Sequence, residues 1–112
     1  MNNKITLQEI IDRTVALHKA FRKTEIRPWN IDIYAVELLA EAGTLADSIM
    51  IKEGYRKLRS GQVIDLEDDI CDVIFVLLMI AHHYEINVEQ AYLSMIDSAY
   101  EKIANQSNND ID

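Results

Sequence analysis

The stretch LEDDICDVIFVLLMIAHH, residues 66–83, decides the fold of this chain. Its central run ICDVIFVLLMIA, residues 70–81, is apolar on every side except at Asp72, which is typical of a helix buried at the centre of a bundle. As a helix this run spans only about 18 Å, which is too short to cross a bilayer. We therefore predict a core helix of an all-α domain, and no membrane partner.

Polar residues with capping preference mark where the helices begin. Thr6 and Glu9 have the spacing of a capping box, Asp65 is a good N-cap, and Asn87 with Gln90 repeats the capping signal. The predicted helices run from Thr6 to about Lys23, from about Ile31 to Glu53, from Asp65 to about Tyr84, and from Asn87 to about Asn105. The glycine-bounded connection 54–63 has room for one helical turn.

The composition agrees with a single helical domain. The chain has 112 residues, 49% of them apolar, with one proline and three glycines, so helix breakers are rare. We predict one domain over residues 1–105 and a disordered polar tail over residues 106–112. We expect the first helix to bury five apolar side chains: Ile10, Ile11, Val15, Leu17 and Phe21.

The charge and the single cysteine exclude several classes of function. The formal net charge is −8, from 19 acidic and 11 basic residues, so a nucleic-acid polymer is not an expected partner. The start MNNKITLQEI has no apolar run and no small-residue cleavage site, which predicts no signal peptide. Cys71 is the only cysteine, so an intrachain disulfide and a Cys-rich zinc site are excluded; we expect a small core residue and a cytoplasmic protein.

The second predicted helix carries a polar stripe beside an apolar arc. Glu37, Glu41, Thr44 and Ser48 fall within about 60° of one another at helical spacing. Such a stripe often only faces solvent, and that interpretation is open from this helix alone.

Asp72 favours a functional interpretation of this stripe. A lone carboxylate in an apolar run is unfavourable by several kcal/mol unless it is paired, metal-bound or open to a cavity. One interpretation is a structural pair with a lysine, an arginine or a backbone amide. The other places Asp69 and Asp72 opposite Glu37 and Glu41, in an all-oxygen cluster that suits Mg²⁺ or Mn²⁺.

Other candidate residues have simpler interpretations. No glutamate is followed by histidine three residues later, which excludes a ferritin-like di-iron site. His82 and His83 are adjacent, point in different directions, and are expected to be surface or half-buried residues rather than metal ligands. Trp29 follows the helix break and is either a core anchor or a platform on which a base stacks.

Two segments resemble the MazG-like, all-α nucleotide pyrophosphohydrolases. They are LLAEAGTLADSI (residues 38–49) and LEDDICDVIFVLLMIAHHYEINVEQAY (residues 66–92). The likeness extends from Pro28-Trp29-Asn30 through the last helix. It implies a four-helix bundle completed by oligomerisation, as a homodimer or homotetramer. It also implies Mg²⁺-dependent hydrolysis of a nucleoside triphosphate to the monophosphate and pyrophosphate, in a house-cleaning role.

The family has Glu-x-x-Glu on one helix and Glu-x-x-Asp on the next. Glu41 matches the first glutamate, but Thr44 stands where the second would be. Asp69 replaces the glutamate of the second pair, and Asp72 matches its aspartate. Glu37 is one substitute for the lost carboxylate. Asp47 is another, although it points about 60° away from Thr44.

The resemblance assigns roles to these positions. It implies that Glu41 and Asp72 are catalytic, and that a metal is held by Glu37, Glu41, Asp69 and Asp72. In the last helix Asp97 remains, whereas Met95 and Ala99 occupy places where the family often has Lys and Asn. The expected substrate-binding residues are Trp29, Asn30, Lys52, Arg56 and Asp97.

Three functions remain open from the sequence. The first is a divergent pyrophosphohydrolase that uses Mg²⁺ or Mn²⁺. The second is a catalytically degenerate relative that binds a nucleotide or a partner without turnover, and the third is an oligomeric scaffold. Thr44 separates the first two. The basic residues after the second helix, Lys52, Arg56, Lys57 and Arg59, either meet phosphates or form a solvated loop.

Overall fold

The computed structural model describes residues 4–24 and 29–109. Over these residues the chain forms four α-helices and no strand. The helices are α1 (Leu7–Arg22), α2 (Ile31–Lys52), α3 (Leu66–His83) and α4 (Val88–Asn109). The predicted all-α class is confirmed.

Each helix begins after a residue whose side chain accepts a hydrogen bond from a first-turn amide. The accepting side chains are Thr6, Asn30, Asp65 and Asn87, each 3.1 Å from the backbone nitrogen of the residue three positions on. These bonds satisfy amides that have no partner inside the helix. The helix starts are therefore set by local sequence, and the four predicted starts are correct.

The helix ends differ more from the predictions. α1, α2 and α3 each end one residue early, whereas α4 continues to Asn109, four residues past its predicted end. The part of the predicted tail in 106–109 is therefore helical, and residues 110–112 lie outside the described residues. The connection after α2 consists of turns, and Gly54 and Gly61 have φ of 86° and 78°, a region that favours glycine.

The packing inside the chain centres on α3, which lies against α2 along its length and against α1. The buried cluster consists of Tyr34, Val76 and Met79. Five half-buried side chains surround it: Val15, Ile31, Leu38, Phe75 and Ile80. This cluster lies immediately below the cavity described in the next subsection and holds α2 and α3 together there.

The outer face of α3 is not buried. Ile70, Ile74 and Leu77 are 46%, 46% and 47% exposed, so the prediction of a helix buried on every side is wrong for this face. The physical reason is that α1 and α2 cover only one side of α3. Cys71 is also exposed rather than a core residue.

Only part of the predicted face of α1 is buried. Ile11 is buried and Val15 packs against the core cluster, whereas Ile10, Leu17 and Phe21 are exposed. The prediction for these three residues is wrong because, within residues 4–24 and 29–109, no other helix packs tightly over that side of α1.

The fourth helix lies apart from the packed unit of α1 to α3. α4 makes few contacts with the other helices, and most of its apolar side chains are exposed. The radius of gyration is 18.8 Å, against roughly 13 Å for a compact domain of this length. The core of a single chain is therefore built from three helices.

Within residues 4–24 and 29–109, no helix combines the length and the hydropathy that crossing a bilayer needs.

Candidate functional site

A cavity of about 560 Å³ opens where α1, α2 and α3 meet. Glu37 and Glu41 reach its wall from α2, and Asp72 reaches it from α3. The two glutamates lie one turn apart on one face of α2, and the packing of α3 against that face places Asp72 opposite them. The structure thus brings together three of the four carboxylates that the sequence grouped as a metal site.

The proximity of these carboxylates changes their ionisation. Hydrogen bonding with Glu37, partial burial and the Asp72 charge raise the pKa of Glu41 to about 7. Burial and the charges of Asp68 and Asp69 raise the pKa of Asp72 above its usual range. Both shifts have the sign expected when carboxylates crowd together without a neighbouring cation. A bound divalent cation would reverse this and favour the ionised forms.

The fourth predicted ligand, Asp69, points to a different neighbour. Its carboxylate accepts a hydrogen bond of 2.6 Å from the hydroxyl of Ser48, which is buried. One carboxylate oxygen from each of Asp68, Asp69 and Asp72 lies within 4.8 Å of the other two. Asp72 therefore stands between two acidic groups, the glutamates of α2 and the aspartates at the start of α3.

Thr44 does not reach the cavity. Its hydroxyl donates a hydrogen bond of 3.1 Å to the carbonyl oxygen of Ala40, and the residue is exposed. Ser48, one turn further along α2, provides the hydroxyl that reaches α3 instead. The sequence placed Ser48 in the polar stripe but could not show which of the two hydroxyls faces the aspartates.

The basic connection after α2 is held against that helix by one carboxylate. Asp47 accepts hydrogen bonds of 2.7 Å from Arg56, 2.8 Å from Arg59 and 3.2 Å from Gln62. The Arg56 hydrogen bond is the main cause of the lowered pKa of Asp47. Asp47 is thus occupied and does not line the cavity. Arg56 is bonded to Asp47 and does not line the cavity. Lys52 is exposed and also lies outside the cavity.

Aromatic side chains also line the cavity. Trp29, 36% exposed, meets the ring of Tyr34 edge to face, with ring centroids 5.6 Å apart. Phe21 and Phe75 line the same space. Trp29 is therefore neither a fully buried core anchor nor a freely exposed ring, and it lines the cavity.

His18 was missed by sequence reasoning. It is buried, and the hydroxyl of Tyr34 lies 2.7 Å from its Nδ1 and 3.0 Å from its Nε2. The available signal was its position seven residues after Ile11, because residues at that spacing share one face of a helix. A polar residue on the apolar face of α1 pointed to a buried hydrogen bond.

Two further predicted residues lie elsewhere. Asn30 caps α2 and lines a second cavity, while Asp97 lies on α4, outside both cavities. Within one chain the last helix therefore contributes nothing to the carboxylate site.

The donor set fits a hard divalent cation. Glu37, Glu41 and Asp72 offer only carboxylate oxygens, which Mg²⁺ and Mn²⁺ prefer to nitrogen or sulfur. Mg²⁺ also keeps several waters, so the protein does not have to supply all of its ligands. Asp69 would support Asp72 from the adjacent turn of α3.

Comparisons of the chain with protein-family models, with curated proteins and with solved structures found no match. The likeness to the MazG-like enzymes therefore rests on the sequence resemblance alone.

Proposed function

We propose that this chain is a Mg²⁺-dependent nucleoside triphosphate pyrophosphohydrolase, a divergent relative of the MazG-like enzymes. It would convert an NTP or dNTP to the monophosphate and pyrophosphate, in a house-cleaning role. The observation that carries the proposal is the meeting of Glu37, Glu41 and Asp72 in one cavity that aromatic side chains also line. Carboxylates suit the metal-bound phosphates, and ring faces suit a base.

The residues of the cavity have distinct roles in this reaction. Glu37 and Asp72 would hold the cation, which when bound would supply charge neutralisation for the phosphate oxygens. Glu41 lies between them on the cavity lining and would accept a proton from the attacking water, since a bound cation keeps its carboxylate ionised. The water oxygen bonds to the α-phosphorus as the α–β anhydride bond breaks, and pyrophosphate leaves.

Self-association is part of the proposal. The chain exposes 9361 Å², whereas a compact monomer of 12.9 kDa exposes roughly 6,300 Å². The excess, about 3,000 Å² per chain, is of the size that obligate oligomers bury. We propose a homodimer or homotetramer in which the bare faces of α3 and α4 are covered and the four-helix bundle is completed.

The single cysteine suits a reducing cytoplasm, where we place the reaction.

A catalytically degenerate relative is the second candidate. Thr44 favours it, because its hydroxyl is bonded to the backbone and contributes no ligand where the family has a glutamate. Such a protein would bind the nucleotide through the same cavity and release it unchanged.

Pyrophosphate release across the four NTPs and the four dNTPs, with Mg²⁺ and then Mn²⁺, tests the proposal. We expect turnover of at least one nucleotide, and its loss in Glu41→Gln. Glu53→Gln is the matched control, since Glu53 is exposed at the far end of α2. Metal-dependent nucleotide binding without any pyrophosphate would favour the degenerate relative, and the absence of both would refute the two candidates.

A further inference from the structure

A second cavity, of about 450 Å³, lies on the opposite side of Tyr34 from the carboxylates. The two cavities share Trp29, Tyr34 and His18, which form the partition between them. Beyond this partition the wall is basic and is contributed by the ends of three helices. The side chains that set its charge are Lys19 and Arg22 of α1 and His82 and His83 of α3.

The electrostatic character of this cavity is opposite to that of the first. Among the residues that line it in the described part of the chain there is no carboxylate, whereas the first cavity has three and no lysine or arginine. Both ion pairs within residues 4–24 and 29–109 are made by Asp47, so neither Lys19 nor Arg22 is paired there. This concentration of basic groups is unusual for a chain of net charge −8.

Basic residues in the last turn of a helix have an ordinary explanation, because they offset the negative end of the helix dipole. That explanation covers α1 and α3 separately, but it does not account for both last turns facing one cavity. The N-terminus of α2, capped by Asn30, faces the same space. Its positive end offsets part of the negative partial charge that the C-terminal ends of α1 and α3 bring to this space, and leaves the charge of the basic side chains available.

We propose that this second cavity is an anion site that takes a phosphoryl group of a small molecule. Arg22 can donate two parallel hydrogen bonds to phosphate oxygens, and Lys19 adds a point charge. The imidazoles of His82 and His83 supply further donors. The site needs no metal, and it does not rest on the proposed hydrolase activity. The phosphoryl group belongs either to a separate ligand or to a nucleotide that spans the partition and carries phosphate at both ends.

Titration of the whole chain with inorganic phosphate, in the presence of a chelator, tests the site. We expect saturable shifts of the His82 and His83 imidazole signals in NMR spectra. Affinity should fall at least tenfold in the double variant Lys19→Gln, Arg22→Gln. The double variant Lys4→Gln, Lys102→Gln removes the same charge from exposed positions and should bind phosphate as the natural chain does.

Two results would overturn the proposal: imidazole signals that do not saturate, or an equal loss of affinity in both double variants. A melting curve shows whether the Lys19, Arg22 variant is folded. If it is not, Arg22→Lys replaces it, because that change keeps the charge and removes the paired donors. The expected result is then weaker phosphate binding with an unchanged melting temperature, and undiminished binding would count against the site.

The source of the phosphoryl group is decided with nucleotides. If it belongs to a spanning nucleotide, a 3′-phosphorylated NTP binds more tightly than the same NTP without that phosphate, and the difference disappears in Lys19→Gln, Arg22→Gln. If it belongs to a separate ligand, phosphate and NTP bind together without competition. Glu41→Gln leaves phosphate binding intact in either case, so failure of the hydrolase proposal and failure of the anion site are distinguishable.

Discussion

Glu41 lies between Glu37 and Asp72, and its proton links the stability of the chain to pH. The folded chain holds this proton up to a pKa of about 7, whereas the ordinary value is 4.5. A proton that the folded state binds more tightly than the unfolded state stabilises the fold. This stabilisation is complete below the pKa of the unfolded state and is lost as pH rises through the pKa of the folded state. We therefore expect the melting temperature in chelator to fall as pH rises from 4.5 to about 7.

The pKa of Asp72 is also raised, so Asp72 adds to this fall in stability. The pKa of Asp47 is lowered, so its effect on stability has the opposite sign and occurs at more acidic pH. Glu41→Gln should flatten the pH dependence of the melting temperature between 4.5 and 7, and Glu53→Gln should leave it unchanged. Metal should bind more tightly as pH rises, because the ligands must lose their protons. A melting temperature that rises with pH across this range would show that Glu41 is ionised throughout.

Thr44 tests how much the missing carboxylate matters. Replacing it with glutamate puts a longer, charged side chain one turn after Glu41, where a hydroxyl bonded to Ala40 now lies. We expect tighter Mg²⁺ binding and pyrophosphate release faster by tenfold or more, which corresponds to about 1.4 kcal/mol. Without this carboxylate the natural chain should bind Mg²⁺ weakly and prefer Mn²⁺.

The control for Thr44→Glu is Thr44→Gln, which has nearly the same shape without the charge. It should leave metal affinity and rate close to those of the natural chain. If Thr44→Glu changes neither quantity and Glu41→Gln is also silent, the carboxylate cavity is not a catalytic site.

The connection between α2 and α3 is controlled by a single side chain. Asp47 holds Arg56, Arg59 and Gln62, although both arginines are largely exposed. Exposed ion pairs are weakened by salt. In Asp47→Asn we expect faster hydrogen exchange at the backbone amide of Gln62, which is bonded to the carbonyl oxygen of Arg59.

High salt should produce the same acceleration in the natural chain and almost none in the variant. Asp32→Asn is the matched control, because Asp32 is exposed near the start of α2. Exchange at Gln62 that is indifferent to both salt and Asp47→Asn would mean that the two glycine turns hold the connection without the ion pairs.

The helix starts could be predicted from the sequence because a cap is a local interaction between residues three apart. Glu37 and Glu41 could be grouped for a related reason, since helical periodicity fixes which side chains share a face. Asp72 was added to them because a carboxylate in an apolar run needs a partner, a metal or a cavity. The contacts of Ser48 with Asp69 and of Asp47 with Arg56 were not accessible. They join residues on different segments, and their partners depend on how those segments pack.

Burial was the least predictable property for the same reason. An all-round apolar run such as residues 70–81 shows that a helix can be buried on every side, but neighbouring helices decide whether it is. In this chain α1 and α2 cover one side of α3, and α4 lies too far away to cover the other. The second cavity was also invisible in the sequence, where Lys19 and His82 are far apart.

At the scale of the whole molecule, the exposed apolar surface predicts self-association. The apolar side of α4 includes Tyr92, Met95, Ile96 and Ile103, which lie on one arc at helical spacing. We expect light scattering to give a multiple of 12.9 kDa at micromolar concentration. The double variant Met95→Asp, Ile103→Asp should shift the mass towards the monomer, because each change places a charge in the covered face.

Ser94→Asp is the control for this experiment, since residue 94 lies on the opposite side of α4 and should leave the mass unchanged. A stable 12.9 kDa species for the natural chain would contradict the predicted assembly.

The separation of α4 from the other helices also has a kinetic consequence. The main packing contact joins α2 and α3, which follow one another in the sequence, and this favours fast, first-order folding. A detached amphipathic helix gains little from that step, because isolated helices are marginal in water. Refolding should therefore show two phases: an early one whose rate is independent of protein concentration, and a later gain of helicity whose rate rises in proportion to it.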